Sequence, residues 1–144
     1  MFGLLYGHAF VNAQSIVRVQ EMDFGEAAIR RNDTVYDILL TSAGNTSAGS
    51  NFNFVSTGRQ GIYRLTGAAP SRPITVNVTV DQQMVAAGQA MVIDNFDVDA
   101  PTQTDVNGEA VIRIGARIRT NGNGVNYIGN SNFIARMTLS INVL

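Results

Sequence analysis

Three segments alternate apolar and polar residues with a period of two, and no stretch of twelve or more residues carries a helical stripe. From Ala110 to Ile118, the residues Ala110, Ile112, Ile114, Ala116 and Ile118 share one side, and Arg113, Arg117 and Arg119 take the other. From Phe133 to Val143, Phe133, Ala135, Met137, Leu139, Ile141 and Val143 alternate with Asn132, Arg136, Thr138, Ser140 and Asn142. From Ile74 to Val80, Ile74, Val76, Val78 and Val80 alternate with Thr75, Asn77 and Thr79. One-sided alternation of this kind belongs to antiparallel sheets with one wet face. A slip of one residue would turn every apolar group to water, so the pairing register is strongly specified.

Weaker strands fill the remainder. Val17 and Val19 alternate with Arg18 and Gln20, and the apolar set then changes parity to Met22 and Phe24, which reads as a bulge. Tyr36, Ile38 and Leu40 read as a strand, as do Phe52 with Phe54 and Tyr63 with Leu65. Ala90, Val92, Phe96 and Val98 form another, with Asp94 as a polar intruder on that face and Asp97 and Asp99 on the opposite one. Ser42 to Ser50 reads as a loop of small polar residues. Pro73 stands at a strand start, where the missing donor is harmless. Asn107-Gly108 is a hairpin signal, and Asn121-Gly122-Asn123-Gly124 reads as a turn or a flexible tip. Many short strands separated by turn signals argue for a β-sandwich or a barrel.

The first residues are different in character. Met1 to Val11 is mostly apolar, and Val11-Asn12-Ala13 precedes Gln14-Ser15 in the manner of a signal-peptidase site. Residues 1–13 are therefore expected to be a signal-peptide remnant, although no basic residue precedes the apolar run. The run falls well short of the ~20 residues that a membrane-crossing helix needs, so no membrane span is expected. The single histidine, His8, lies in this segment and reads as a passenger of the leader.

Composition narrows the chemistry. There is no cysteine, and all ten basic residues are arginine. With His8 in the leader, a Ser-His-Asp arrangement lacks its base, and a Ser-Lys dyad is impossible. A formal net charge of −1 provides no basic field for phosphate backbones, so no nucleic-acid partner is expected. The glycine-bearing loops do not open helices, so the phosphate-loop logic does not apply. Asp94, Asp97, Asp99 and Asp105 cluster in sequence. A carboxylate pair can hydrolyse glycosides, and the Asp94, Asp97, Asp99 spacing offers hard oxygen ligands for calcium. The plainer reading is a solvated acidic rim, with no catalytic residue, no cofactor and no metal site. Arg113, Arg117 and Arg119 line one strand face, with Arg136 expected on a partner strand; such a face discourages sheet-on-sheet aggregation. Asn45-Thr46-Ser47 and Asn77-Val78-Thr79 match the glycosylation pattern.

A set of short motifs then falls in a recognisable order. Met22-Asp23-Phe24-Gly25 comes first, followed by Tyr63-Arg64-Leu65-Thr66-Gly67 and the Ile74–Val80 strand. Met91-Val92-Ile93-Asp94-Asn95-Phe96 follows, then Gly108-Glu109-Ala110 with Ile114-Gly115-Ala116, and finally Gly129 with Phe133 to Val143. In this order, over roughly residues 16–144, the chain resembles the domain of unknown function 4402 family. It departs from that family in ending Asn142-Val143-Leu144 rather than in tyrosine. The resemblance implies a bacterial secreted β-sandwich related to pilins and surface adhesins, with no reaction and no catalytic residues to transfer.

The resulting expectation is an all-β chain: residues 14–144 as a single antiparallel immunoglobulin-like β-sandwich of about eight or nine strands. It is expected to be secreted, periplasmic or on the cell surface. The expected role is that of a pilin-like structural subunit pairing strands at its termini, with itself or a periplasmic chaperone as partner. Val17, Val19, Met137, Leu139, Ile141 and Val143 are the candidate assembly positions, with Ser15 to Val19 as the donor strand. The plainer alternative is that both termini pair at home. The alternative function is an adhesin-like module binding glycan or protein through its Asn- and Arg-rich faces or the Gly44–Ser50 and Asn121–Gly124 loops.

Overall fold

The computed structural model describes the backbone of Gly3–Gly7, and residues 14–129 and 131–144 in full. His8 and the Val11-Asn12-Ala13 motif lie outside the described residues. Twelve strands and no helix make up the described chain, and no helix is long and apolar enough to cross a membrane. In chain order they are β1 (Gly3–Gly7), β2 (Ser15–Gln20), β3 (Glu26–Ile29), β4 (Asp37–Leu40), β5 (Thr46–Ala48) and β6 (Phe52–Ser56). There follow β7 (Gly61–Thr66), β8 (Ile74–Gln82), β9 (Met84–Ala86), β10 (Gln89–Asp99), β11 (Ala110–Thr120) and β12 (Ala135–Val143). The expected eight or nine strands were fewer than the chain forms. The difference lies in pieces of three to five residues such as β1, β5 and β9, too short to carry an alternating signature.

The strands form a seven-stranded sheet, a three-stranded sheet and the β3–β6 pair. In the larger sheet β2, β7, β11, β10 and β9 follow one another, and β4 joins β11 with β5 beyond it. The smaller sheet has the order β1, β12, β8. The pairings are antiparallel except that of β1 with β12, which is parallel.

The alternation seen in the sequence closes the core. Ile112, Ile114 and Ile118 of β11 and Met137, Leu139 and Ile141 of β12 are buried in one continuous apolar cluster with Tyr63, Leu65 and Ile93. Two sheets facing each other across a shared apolar layer give a sandwich-like arrangement. The weak N-terminal strand differs from expectation. Ile16, opposite buried Leu65, points inward, whereas Val17 stands opposite exposed Arg64. Val17 and Val19 remain 49% and 58% exposed, so they belong to the wet face. The register shift between Arg18 and Gln20 and the strand's end at Gln20 account for the change of parity before Met22.

β11 is paired along both edges. β10 takes one edge; β7 takes the other from Ala110 to Ile114, and β4 takes it from Ala116 to Arg119. Gly115 stands where the partner changes. A Cβ there would collide with the Leu40 carbonyl oxygen and press on the backbone of Thr41. Gly115→Ala is thus expected to lower unfolding free energy by about 2 kcal/mol, the usual scale of overpacking. Gly49→Ala, where a Cβ meets nothing within 4 Å, should stay within ~0.5 kcal/mol of the parent. Urea unfolding of the two variants measures the contrast.

Candidate functional site

The acidic segment of β10 is shaped by a bulge. Its register with β11 shifts between Asp94 and Asp97, where Asn95 adopts a φ of +51°. Asp94 stands opposite Arg117, Asp97 opposite Gly115 and Asp99 opposite Arg113. These β11 positions share one face, so Asp94, Asp97 and Asp99 share it too. The expected opposition of Asp94 to the other two is corrected, because the extra residue restores their common parity. The same bulge places Met91 and Ile93 in the core and leaves Val92 outside.

Sharing a face does not make these carboxylates a cluster. Arg117 Nε donates to Asp94 Oδ1 at 2.9 Å, Arg117 Nη2 donates to Asp94 Oδ2 at 3.2 Å, and Arg119 Nη2 donates to the same oxygen at 2.6 Å. Asp97 Oδ2 accepts the Ser42 amide at 2.7 Å, and Asp99 lies 3.8 Å from Arg113. Among the described residues no three acidic or histidine side chains are grouped to hold a metal. The calcium candidates Asp94, Asp97 and Asp99 are each turned to a different partner. The Arg117 guanidinium, with Arg119 beside it, holds the Asp94 carboxyl below its ordinary value of 3.8. Arg136 does not join this face, since it lies on β12 in the other sheet.

The Asn121–Gly124 segment is a fastened loop rather than a free tip. Asn32, 1% exposed, donates through Nδ2 to Asn121 Oδ1 at 2.6 Å, Asn123 Oδ1 at 3.0 Å and the Val125 carbonyl at 2.9 Å. Its own Oδ1 accepts the Gly122 amide at 2.9 Å. Gln89 Oε1 accepts Nδ2 groups of Asn121 and Asn123 at 2.7 and 3.1 Å. The Tyr127 hydroxyl donates to the Ala90 carbonyl and accepts the Asn121 amide. The loop's amides are thus engaged within the fold. Ser42–Ser50 is likewise ordered, since Thr46–Ala48 forms β5 against β4 and Thr41 Oγ1 accepts the Asn45 amide.

The termini pair at home, in separate sheets. The expected donor, Ser15 to Val19, forms β2 and is paired with β7. Met137, Leu139 and Ile141 are core side chains, and Val143 is half-buried opposite Ile74. What lies along the outer edge of β12 is β1, with Gly3 beside Ala135 and Gly7 beside Leu139. A groove of about 570 Å³ runs between the Asp23–Ile29 segment and the chain preceding β12, lined by Phe24, Glu26, Met91, Tyr127, Ser131 and Phe133 among others. Sequence reasoning did not find it, because the two walls are distant in the chain. Tyr63, read from the sequence only as a strand residue, is buried with no hydrogen-bond partner for its hydroxyl, and burial pushes it up to about 12.

A family model described as "Domain of unknown function (DUF4402)" matches residues 15–136. The chain belongs to this family. No curated protein and no solved structure matches it. The matched span of DUF4402 begins at β2 and stops one residue inside the antiparallel core of β12. The chain's Met22-Asp23-Phe24-Gly25 segment has a structural explanation. Asp23 Oδ1 accepts the Gly25 amide at 2.8 Å, and the Asp23 and Arg59 backbones exchange two hydrogen bonds. Met22 and Phe24 enter the core, and Gly25, at φ +81°, has no room for a Cβ beneath the Ser56 carbonyl.

Asp94 has its folded value depressed, so its stabilising contribution is present above the unfolded value and disappears as pH falls through the folded one. Asp94→Asn should be less stable than the parent at pH 7, and the gap should close below about pH 4, as followed by thermal unfolding across pH. Asn32→Ala removes four hydrogen bonds from a buried side chain, weakens three shared acceptors and leaves the Gly122 amide without its partner. It should cost about 3 kcal/mol and expose the 121–125 segment to proteolysis, with cleavage sites read by mass spectrometry.

Proposed function

We propose that this DUF4402 chain is a secreted structural subunit of the bacterial periplasm or cell surface, which assembles by strand pairing at the outer edge of β12. The supporting observation is the position of β1. The strand that completes this edge comes from the expected leader, and it pairs in parallel over five residues. Parallel pairing is the less stable of the two ladder types per residue. Removal of residues 1–13 on export strips the edge from Ala135 to Leu139 of that partner. A row of unpaired backbone groups beside a finished core is a template for a strand from another molecule. A strand donated head-to-tail between copies gives an open-ended assembly, and a periplasmic chaperone is the partner suited to holding the edge beforehand.

The chemistry of the side chains agrees with this reading. The charged and amide clusters described above are turned toward one another, whereas a strand edge recognises backbone and needs no reactive group. An adhesin-like module binding a glycan or protein is the second reading, and the groove lined by Glu26, Tyr127 and Ser131 is the observation that favours it.

Exporting the chain from a bacterial host and sequencing the product's N-terminus tests the proposal. The product is expected to begin at Gln14 and to form assemblies of heterogeneous length, while unprocessed full-length chain forms none. An exported product that retains Met1, or a processed chain found only as a closed species, overturns it.

A further inference from the structure

β8 is the other edge of the small sheet. Among the described residues it pairs only with β12, and residues 102 and 103 reach its far side only at its start. There the Ile74 amide donates to the Thr102 carbonyl, and Pro73 bridges to Gln103. From Thr75 onward no strand among the described residues is paired with its outer edge. Val76, Val78 and Val80 stand opposite the buried Ile141, Leu139 and Met137, yet they are only half-buried. Natural edge strands are usually blunted by a lysine, a proline, a bulge or an inward charge. Between Thr75 and Val80 this edge has neither a charge nor a proline, and its one register shift lies near its far end, where Arg136 and Met137 face Gln82 and Val80. The first charge, Asp81, already accepts the Thr138 hydroxyl at 2.6 Å.

The order of residues on this edge is symmetric. Reading outward from Asn77, the neighbours on both sides are valine, then threonine, then the β-branched Ile74 and Val80. We propose that β8 pairs antiparallel with β8 of a second copy about a two-fold axis through Asn77. Asn77 then faces Asn77 of the second copy, each Val76 faces Val78, and each Thr75 faces Thr79. Valines meet on the core side and threonines on the wet side, the kinds of cross-strand pair that stabilise a sheet. The cover over Ile74 stops the ladder there, so the pairing runs from Thr75 to Thr79 on each chain. The near-palindrome makes every pair across the axis of a second copy like with like, which an arbitrary heterologous strand has no reason to do. The contact is isologous and closes as a dimer, which separates it from open-ended assembly at β12. A five-residue ladder is a small interface, so the expected dissociation constant is roughly micromolar.

Sedimentation of the full-length chain over a range of concentrations tests the proposal, together with two double variants at exposed positions. In Thr75→Lys with Thr79→Lys, each pair across the axis has like charges, and dimer affinity should fall by about tenfold or more. In Thr75→Glu with Thr79→Lys each pair is complementary, and affinity should remain within about threefold of the parent. Unfolding curves verify that both variants fold. A parent that stays monomeric at ~100 μM, well above a micromolar constant, overturns the proposal. So does a like-charged variant that dimerises as the parent does, or equal loss in both variants, which denies the register.

Discussion

The structure depends on satisfying both edges of one long buried strand. β11 spans eleven residues, and its inward side chains from Ala110 to Ile118 are almost wholly buried. Every amide and carbonyl along such a strand needs a partner, because none can reach water without loss. β10 supplies one edge from Arg113 to Thr120, with an interruption at the Asn95 bulge. The other edge is divided, β7 ending where β4 begins, and the two meet at Gly115. That division brings β2 and β5 into the same sheet, as outer neighbours of β7 and β4. A single glycine at the switch therefore allows two separate parts of the chain to share one edge.

How much of this could be read in advance depended on whether neighbouring residues determined it. β8, β11 and β12 were legible because each has one buried face and an alternation long enough to fix parity. β10 was legible as a strand but not in its facing. Its bulge depends on Asn95 at a positive φ, and asparagine tolerates that conformation without announcing it. Asp94 was consequently placed on the wrong side. Val17 and Val19 misled for a related reason: in a short edge strand the buried contribution comes from a single residue, Ile16, and two exposed valines outvote it. The Asn-Gly repeat at 121–124 looked mobile because its restraint, Asn32, is about ninety positions away in sequence.

The candidate site was less legible than the fold. The terminal alternation pointed to strands that matter at the chain ends, and the core side chains of β12 are where it placed them. What it could not show is which strand lies beside which edge. Edge occupancy is a property of sheet order, and sheet order is settled by long-range packing rather than by local periodicity. Hence the expected donor, Ser15–Val19, proved to be β2 of the larger sheet, while the segment beside β12 came from further upstream.

The distribution of polar bonding capacity connects these observations. Asp94 is held by two arginines, the Asn32 and Gln89 amides are closed on the 121–125 loop, and Gln83 bonds both the amide and the carbonyl of Ile93. That last contact deserves comparison with the free edges, since a side-chain amide there acts as one rung of a missing strand and ends the β9–β10 ladder. Among the described residues no such device follows Thr75 along β8, and at β12 the covering strand is a short parallel one. Apart from the Tyr63 hydroxyl and Asn51 Oδ1, the buried side-chain polar groups described are paired, whereas among the described residues the backbone of β8 beyond Ile74 is left open at its outer margin. Recognition by backbone has little need of a particular side chain, but it does require a straight, uncharged strand of adequate length. The Ile74–Val80 sequence meets that requirement in both reading directions, which makes the margin of the small sheet the part of the surface best suited to another chain.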